Sequence, residues 1–266
     1  MGTGSRCHSG PELIGLKLDI LGRQVDFRIR VWKDHARLSD IVPLARTLCT
    51  KITDTVVQSI HSDGGRVPCH KGCSACCSYL VPLSVPEAFW LKEEVSAAPA
   101  HRRESAWRAC LCAARHILSH KCPEPFTRET GETSLASPVD RNLVSSWYSN
   151  LRLACPFLRN DVCTIYDQRP LACREHFVKD SPEACGDECG VAEPLEMPVQ
   201  VPNVLGQLAS ELESTSVEAV ILPLALVWCE ENPERSERTW PAAMMVERFA
   251  EIMETMAWQN SAAPVR

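Results

Sequence analysis

Four cysteines lie close together in the segment Cys69-His-Lys-Gly-Cys73-Ser-Ala-Cys76-Cys77. Thiolates are preferred ligands of zinc and of iron–sulfur clusters, and a zinc–sulfur bond is only about 2.3 Å long. Gly72 allows the backbone to turn sharply between successive ligands. This spacing predicts that the segment folds around a metal centre, because cysteines that merely fill an apolar core do not need to be so crowded.

A second, wider group of cysteines follows later in the chain. Because these residues are too sparse to form a site unaided, and the first group is too crowded for one small ion, we expect a shared site. A coordination shell closed by distant segments also lets metal binding contribute to folding. Basic residues near the cysteines would offset the negative charge of the thiolates. The second group is Cys155, Cys163, Cys173, Cys185 and Cys189, and the basic residues are Arg66, Lys71, Arg169 and Arg174.

Composition favours metal ligation over disulfides. The chain has 15 cysteines in 266 residues, an odd number, and its 45% hydrophobic content can build a core without cross-links. The first residues lack the apolar stretch of a secretory signal, and the longest apolar run, Val217 to Cys229, is shorter than a membrane span. We therefore expect a cytoplasmic protein with no membrane partner, in a compartment that keeps thiols reduced.

The net charge of −6 excludes a generally basic surface, so nucleic acid is not an expected partner. A protein partner is compatible with the sequence, which does not identify one. No phosphate-binding loop, serine–histidine–aspartate arrangement or paired carboxylate motif stands out. The sequence consequently leaves open whether the chain is an enzyme.

The periodicity of apolar residues predicts a mainly α fold with a short N-terminal β-hairpin. Leu13 to Ile20 and Val25 to Val31 alternate apolar and polar residues around a turn at residues 21–24. A helix capped by Ser39 or Asp40 should then run to Ile60. Further helices are predicted from a Ser84–Glu87 capping box to Val95, and over the ranges Arg102 to Ser119, Val204 to Leu212, Val217 to Glu231 and Trp240 to Trp258.

Between these helices, the cysteine regions are expected to be irregular, with one helical turn after Pro170, and residues 122–139 to form a surface loop. The predicted organisation is an N-terminal hairpin and helix over residues 1–62 and a cysteine-cluster domain over residues 63–195. A C-terminal helical segment over residues 196–266 should pack on that domain, so that the three parts form one compact unit.

The segment CHKGCSACC followed by VPLSVPEA, with the later CPFL and CTIYDQRPLACR, resembles the CxxCxxCC cysteine-cluster family, also called YkgJ-type. Its members are described as zinc- or iron-chelating proteins. The resemblance covers about residues 66 to 190, with three residues in the first gap, between Cys69 and Cys73, where the family name has two. It implies a metal site made by Cys69, Cys73, Cys76, Cys77, Cys155, Cys163 and Cys173, with Cys185 and Cys189 as further candidates.

The sequence favours an iron–sulfur cluster over Zn²⁺. It offers seven to nine candidate thiols, and the side chains of the adjacent Cys76 and Cys77 cannot easily both face one small ion, whereas a larger cluster accommodates unevenly spaced ligands. Two separate centres remain an alternative. We expect a metal-binding protein that acts as a binding, redox or accessory module. The alternatives are a structural zinc protein and a metal-dependent enzyme. A flagellin lysine methylase shares the cysteine motif, so a methyltransferase-like activity rests on that analogy alone.

Two other spacings suggest sharper functions that the rest of the sequence does not support. Cys69, Cys73 and Cys76 match the cluster spacing of radical S-adenosylmethionine enzymes, but that fold needs alternating strands and helices. Cys112, His116 and His120 share one face of a predicted helix at intervals of four residues. Such a row is more often a partly buried helix face with solvated histidines than a metal site.

Overall fold

The structure is a computed structural model that describes residues 11–123, 138–179, 185 and 194–262. Its fold is mainly α with an N-terminal β-hairpin, which confirms the predicted fold class. The helices are α1 (Val42–Ser62), α2 (Val85–Ala97), α3 (Ala100–Leu118), α4 (Pro138–Asn150), α5 (Leu171–Glu175), α6 (Val201–Glu213), α7 (Ala225–Glu231), α8 (Pro233–Glu237) and α9 (Ala242–Ala262). Within the described residues, no helix is both long enough and apolar enough to cross a membrane.

The strands are short and pair in twos, always antiparallel. The pairs are β1 (Glu12–Ile20) with β2 (Arg23–Val31), β3 (His35–Ala36) with β8 (Trp240–Pro241), β4 (Pro82–Ser84) with β7 (Ala219–Ile221), and β5 (Leu158–Arg159) with β6 (Val162–Cys163). Two of these pairs join segments that are distant in sequence, so they connect the first third of the chain to the last. These two pairs therefore link distant segments, and each sheet of the described residues has only two strands.

The N-terminal hairpin forms as its alternating pattern predicts. Its turn is only two residues long, Leu21-Gly22, and both residues have positive φ (54° and 78°), as a tight primed turn requires. Every second residue of β1 from Ile14 to Ile20 is buried, and this face packs on α9. The backbone N–H of Lys17 also donates to Oε1 of Glu254 on α9, at 2.9 Å.

The helix predicted to run to Ile60 is confirmed as α1, which has a buried apolar face, but its predicted cap is wrong. Leu48, Ile52 and Val56 are buried on that face. Neither Ser39 nor Asp40 caps the helix, because a short 3₁₀ turn over Leu38–Ile41 precedes it and Pro43 occupies its first turn. Ser39 instead donates its hydroxyl to Oε1 of Glu93 on α2, at 2.9 Å.

The capping box predicted at the start of α2 is present. The backbone N–H and the hydroxyl of Ser84 both donate to Oε2 of Glu87, at 3.3 and 3.0 Å. The helix predicted over Arg102 to Ser119 is also confirmed as α3, with its start two residues earlier. The prediction of a loop over residues 122–139 falls mostly on residues 124–137, outside the described residues, and α4 begins at its end.

The helix predicted over Val217 to Glu231 is wrong in its first half. Ala219–Ile221 forms β7, whose residues pair with Pro82–Ser84, and helix α7 begins only at Ala225, after a 3₁₀ turn. Val220 and Ile221 are β-branched and Pro223 cannot donate within a helix, so the local sequence favours this break. The helix predicted from Trp240 likewise begins as strand β8 and becomes helical at Ala242.

Two main clusters of buried residues hold the fold together. The larger cluster joins β1, one face of α1, α6 and α9, and includes Leu171 at the start of α5. The second cluster joins β4, α2, α3 and α7. Residues from both ends of the chain thus share one core, and Leu171 connects that core to the second cysteine region.

Candidate metal centre

The first cysteine group lies in the loop between α1 and β4, and successive tight turns hold it. The backbone N–H of Cys73 donates to the carbonyl of His70 at 3.1 Å, and the N–H of Cys77 donates to the carbonyl of Ser74 at 2.9 Å. Gly72 has a φ of 101°, in the region that favours glycine. The sharp turn expected at Gly72 is therefore present, and it separates Cys69 from the later cysteines.

The second group begins in a small hairpin that brings two of its cysteines together. Strand β5 pairs with β6, so that Leu158 lies opposite Cys163. The N–H of Leu158 donates to the carbonyl of Cys155 at 3.0 Å. Asn160 and Asp161 make the turn, with φ of 49° and 59°. Cys155 and Cys163 thus sit at the open end of this hairpin, eight positions apart in sequence but adjacent in space.

The two loops meet through a backbone hydrogen bond. The N–H of Cys155 donates to the carbonyl of Cys77 at 2.7 Å, across a long sequence separation. The thiolates of Cys155 and Cys163 also act on the thiol of Cys77, and those of Cys155 and Cys76 act on the thiol of Cys173. Thiols from both groups are therefore gathered in one region of the molecule.

Helix α5 carries Cys173 and is anchored from two sides. The N–H of Leu171 donates to Oε1 of Glu87 on α2, at 2.8 Å, inside the core. On the other side, Nη1 of Arg46 on α1 donates to the carbonyl of Arg169 at 2.9 Å, and Nη2 donates to the carbonyl of Asp167. These contacts fix the loop that leads into α5, and with it the position of Cys173.

The environment of these thiols disfavours the thiolate form in the absence of a cation. Burial is the largest cause and neighbouring thiolates add to it, so that the pKa of Cys76 rises to about 12 and the pKa values of Cys77 and Cys155 rise to about 11. The pKa of Cys173 is raised well above its usual value for the same two reasons. Without a bound cation these thiols are therefore neutral at physiological pH.

Part of that positive charge comes from the protein, although not from every residue expected. Arg169 lowers the pKa of Cys69, Cys77 and Cys173, against the larger effect of burial. Lys71 lies 3.9 Å from a carboxylate oxygen of Asp167. Of the other two predicted residues, Arg66 is exposed, and Arg174 donates to backbone carbonyls of its own loop. Arg159, which the sequence did not single out, acts on Cys155.

Cys185 is buried beside the first group. The hydroxyl of Tyr79 donates to the carbonyl of Cys185 at 2.6 Å, and the thiolates of Cys69 and Cys73 are the charges that act on its thiol. Cys189 lies outside the described residues, so its candidacy remains a prediction. The described candidates are thus Cys69, Cys73, Cys76, Cys77, Cys155, Cys163, Cys173 and Cys185.

Sequence reasoning missed a second buried carboxylate below the site. Oε1 of Glu175 accepts a hydrogen bond from the N–H of Val201 at 2.8 Å, which caps α6 from α5. Burial raises the pKa of Glu175 to about 8, and the thiol of Cys49 donates to it. No local motif marks Glu175, because its partners come from distant elements. Cys49 is buried and makes this supporting contact from α1.

His176 follows Glu175 and lines a cavity of about 300 Å³ beside α5. Its Nε2 is buried and has no hydrogen-bond partner among the described residues, and its ring meets that of Tyr79 edge-on with centroids 5.6 Å apart. Burial lowers the pKa of His176, which favours the neutral ring. This imidazole therefore presents an unsatisfied nitrogen close to the cysteine loops.

The row of residues on α3 does not form a convergent site. Cys112 is exposed, whereas Cys110 is buried in the second core cluster. The rings of His116 and His120 lie with centroids 4.7 Å apart, and Nδ1 of His120 is 2.8 Å from the carbonyl of His116. His120, just after the end of α3, thus interacts with His116 in the last turn of that helix, as the interpretation of a helix face with solvated histidines expects.

The donor set suits a thiophilic metal by its chemistry, since soft thiolates select zinc, copper(I) and iron–sulfur clusters. In the described part of the chain, however, no group of three or more histidine, cysteine, aspartate or glutamate side chains is arranged to hold a metal ion. The thiols share a region without closing on one point.

Comparison with known proteins adds no relative. No protein-family model, no curated protein and no solved structure matches the chain.

Proposed function

We propose that this protein binds a metal centre through the cysteines of its two loops, with an iron–sulfur cluster favoured over Zn²⁺, and acts as a binding, redox or accessory module. The observation that carries the proposal is the junction of the loops, where the N–H of Cys155 donates to the carbonyl of Cys77. That bond joins the backbones of the two cysteine motifs, which supports a site shared between them.

The electrostatics of the junction support a bound cation. Burial, with neighbouring thiolates adding to it, raises the pKa of Cys76, Cys77 and Cys173, so these thiols lose their protons more readily when a cation is bound beside them. A metal centre would stabilise the deprotonated thiolates and would draw the loops together on binding. The same binding free energy would then contribute to the stability of the fold.

The number of thiols supports a cluster rather than a single zinc ion. Structural zinc uses four ligands around one tetrahedral ion, whereas eight candidate cysteines lie in the described residues. The resemblance to the CxxCxxCC family supports a chelating role for the same positions. A cytoplasmic location belongs to the proposal, because reduced thiols are required for ligation.

Anaerobic purification, followed by iron, zinc and acid-labile sulfide analysis and a visible absorption spectrum, tests the proposal. Cys73→Ser should lower metal content and reduce the thermal midpoint. Cys229→Ser is the matched control, because Cys229 is buried in the second core cluster and the charges that act on its thiol are those of Lys92, Glu230 and Glu93. It should retain the metal of the parent, at a stability cost of about 1–3 kcal/mol for a buried hydroxyl. A parent protein that holds neither metal nor sulfide would refute the proposal.

A further inference from the structure

Strand β2 is an edge strand whose outer edge has no partner strand in the described part of the chain. Its inner edge pairs with β1 through all nine of its residues, and the sheet contains only these two strands. The outer edge of β1 is met by α9, because the N–H of Lys17 donates to Oε1 of Glu254 at 2.9 Å. The hairpin is therefore covered along one edge and open along the other.

The register of the hairpin decides which backbone groups of β2 face the open edge. Opposite residues of an antiparallel pair alternate between hydrogen-bonded and non-hydrogen-bonded pairs, and the pair that flanks a two-residue turn, Ile20 and Arg23, is hydrogen-bonded. Lys17 and Asp26, three pairs further on, are therefore a non-hydrogen-bonded pair, as the bond from Lys17 to α9 also indicates. The backbone groups that point to the open edge are consequently those of Gln24, Asp26, Arg28 and Arg30, and no other described residue bonds to them.

The side chains of β2 leave an incomplete apolar surface at this edge. On the face towards α9, the apolar residues of β1 are buried, whereas those of β2 are only half-buried because the sheet ends there. The opposite face of β2 is polar and exposed. Within the described strand there is no proline and no bulge, two features that protect natural edge strands from pairing. The half-buried apolar residues are Val25, Phe27, Ile29 and Val31, and the exposed polar residues that alternate with them are Gln24, Asp26, Arg28 and Arg30.

We propose that β2 pairs antiparallel with β2 of a second copy of this chain, about a two-fold axis between the two Phe27 residues, so that two hairpins form one four-stranded sheet. In this register Asp26 lies opposite Arg28 of the second copy, and the symmetry repeats this opposite-charge pair. On the other face, Val25 lies opposite Ile29 of the second copy and the two Phe27 side chains meet. The half-buried apolar surface of each hairpin thus continues into the other. The inference does not depend on the proposed metal centre.

Charge distinguishes this register from its neighbours. A slide of two residues keeps every side chain on its own face, but it centres the pairing on Asp26 or on Arg28 and sets that residue opposite its own copy. Like charges directly opposite one another are destabilising. The register centred on Phe27 also brings Trp32, which is 73% exposed, beside the Leu21-Gly22 turn of the second copy, where Leu21 is 56% exposed. Two large exposed side chains at the ends of the hairpin are then covered together.

Sedimentation equilibrium of the full chain tests the inference, under reducing conditions that exclude disulfide-linked dimers. The parent should have the mass of two chains. Asp26→Arg and Arg28→Asp each replace both opposite-charge pairs with like-charge pairs, so each should raise the dissociation constant of the dimer at least about tenfold. Asp54→Arg, at an exposed position on α1, is the control and should dimerise like the parent. A monomeric parent would leave the edge to a strand of another protein and overturn the inference, as would single variants that dimerise as tightly as the parent.

A charge swap then tests the register and separates it from a folding defect. The double variant Asp26→Arg/Arg28→Asp again sets opposite charges across the interface, so it should dimerise like the parent. An equimolar mixture of the two single variants should form mixed dimers for the same reason, because one variant carries only positive charges at these positions and the other only negative charges. The backbone N–H groups of residues 26 and 28 should exchange with solvent more slowly in the dimer than in either single variant. If neither the double variant nor the mixture dimerised, the proposed pairing would be wrong.

Discussion

Removal of the Glu87 side chain tests whether the core holds the second cysteine loop in place. Glu87 is buried, and its carboxylate accepts hydrogen bonds from the N–H of Leu171 and from both the N–H and the hydroxyl of Ser84. In Glu87→Ala these donors lose their acceptor inside the core. Each buried unsatisfied donor costs about 1–3 kcal/mol, partly offset because a buried carboxylate is no longer desolvated.

We therefore expect Glu87→Ala to lower the free energy of unfolding by about 3–5 kcal/mol, a large share of a typical total of about 5–15 kcal/mol. Glu87→Gln keeps one carbonyl acceptor and should cost about 1–2 kcal/mol. Glu94→Ala, at an exposed position on the same helix, is the control and should change stability by less than about 0.5 kcal/mol. Urea unfolding monitored by far-ultraviolet circular dichroism measures all three.

Metal content provides a second measurement on the same variants. Leu171 is two residues before Cys173, so loss of its anchor should also reduce metal retention in Glu87→Ala relative to Glu94→Ala. If Glu87→Ala stayed within about 1 kcal/mol of the parent, the claim that this carboxylate anchors the loop would be refuted.

Three further perturbations have expected outcomes. Gly72→Ala should lower the thermal midpoint at a cost of about 1–2 kcal/mol, because the φ of 101° disfavours a side chain. Gly15→Ala is the control and should not destabilise the protein, because Gly15 lies in a strand with open space around it. Equal midpoints for the two variants would contradict this. Arg235→Ala should lower the free energy of unfolding in urea by about 3 kcal/mol, because it leaves Glu213, whose side chain is only 1% exposed, without its closest partner. Arg248 is more exposed, so Arg248→Ala should cost less than about 1 kcal/mol. The reverse order would refute the argument from burial. In metal-free protein, the pKa of Glu175 is about 8 in the folded state against an ordinary 4.5. The folded state therefore binds more protons than the unfolded state between these two pH values. The free energy of unfolding should consequently fall as pH rises through that window and level off above it. Glu175→Gln, measured by unfolding at several pH values, should lack this component; an unchanged slope would exclude Glu175 as its source.

Local patterns in the sequence determined much of the secondary structure. The alternation along β1 and β2 and the Leu21-Gly22 turn define the hairpin without help from the rest of the chain. The apolar face of α1 and the capping box at Ser84 depend on residues within a few positions of one another. The sequence also determined which thiols are candidates, because the close spacing of the cysteines can be read directly along the chain.

Only the tertiary structure decided where the long-range partners lie. Val220 and Ile221 are β-branched and so favour a strand locally, but their partner, Pro82–Ser84, comes from a distant part of the chain. Glu87 acts as a local cap and also reaches Leu171, a contact that no short motif encodes. The meeting of the two cysteine loops depends in the same way on the backbone hydrogen bond from Cys155 to Cys77. Periodicity and capping depend on interactions between residues that are near one another in sequence. These long-range contacts form only after distant segments have packed together, so their geometry is set by the fold as a whole.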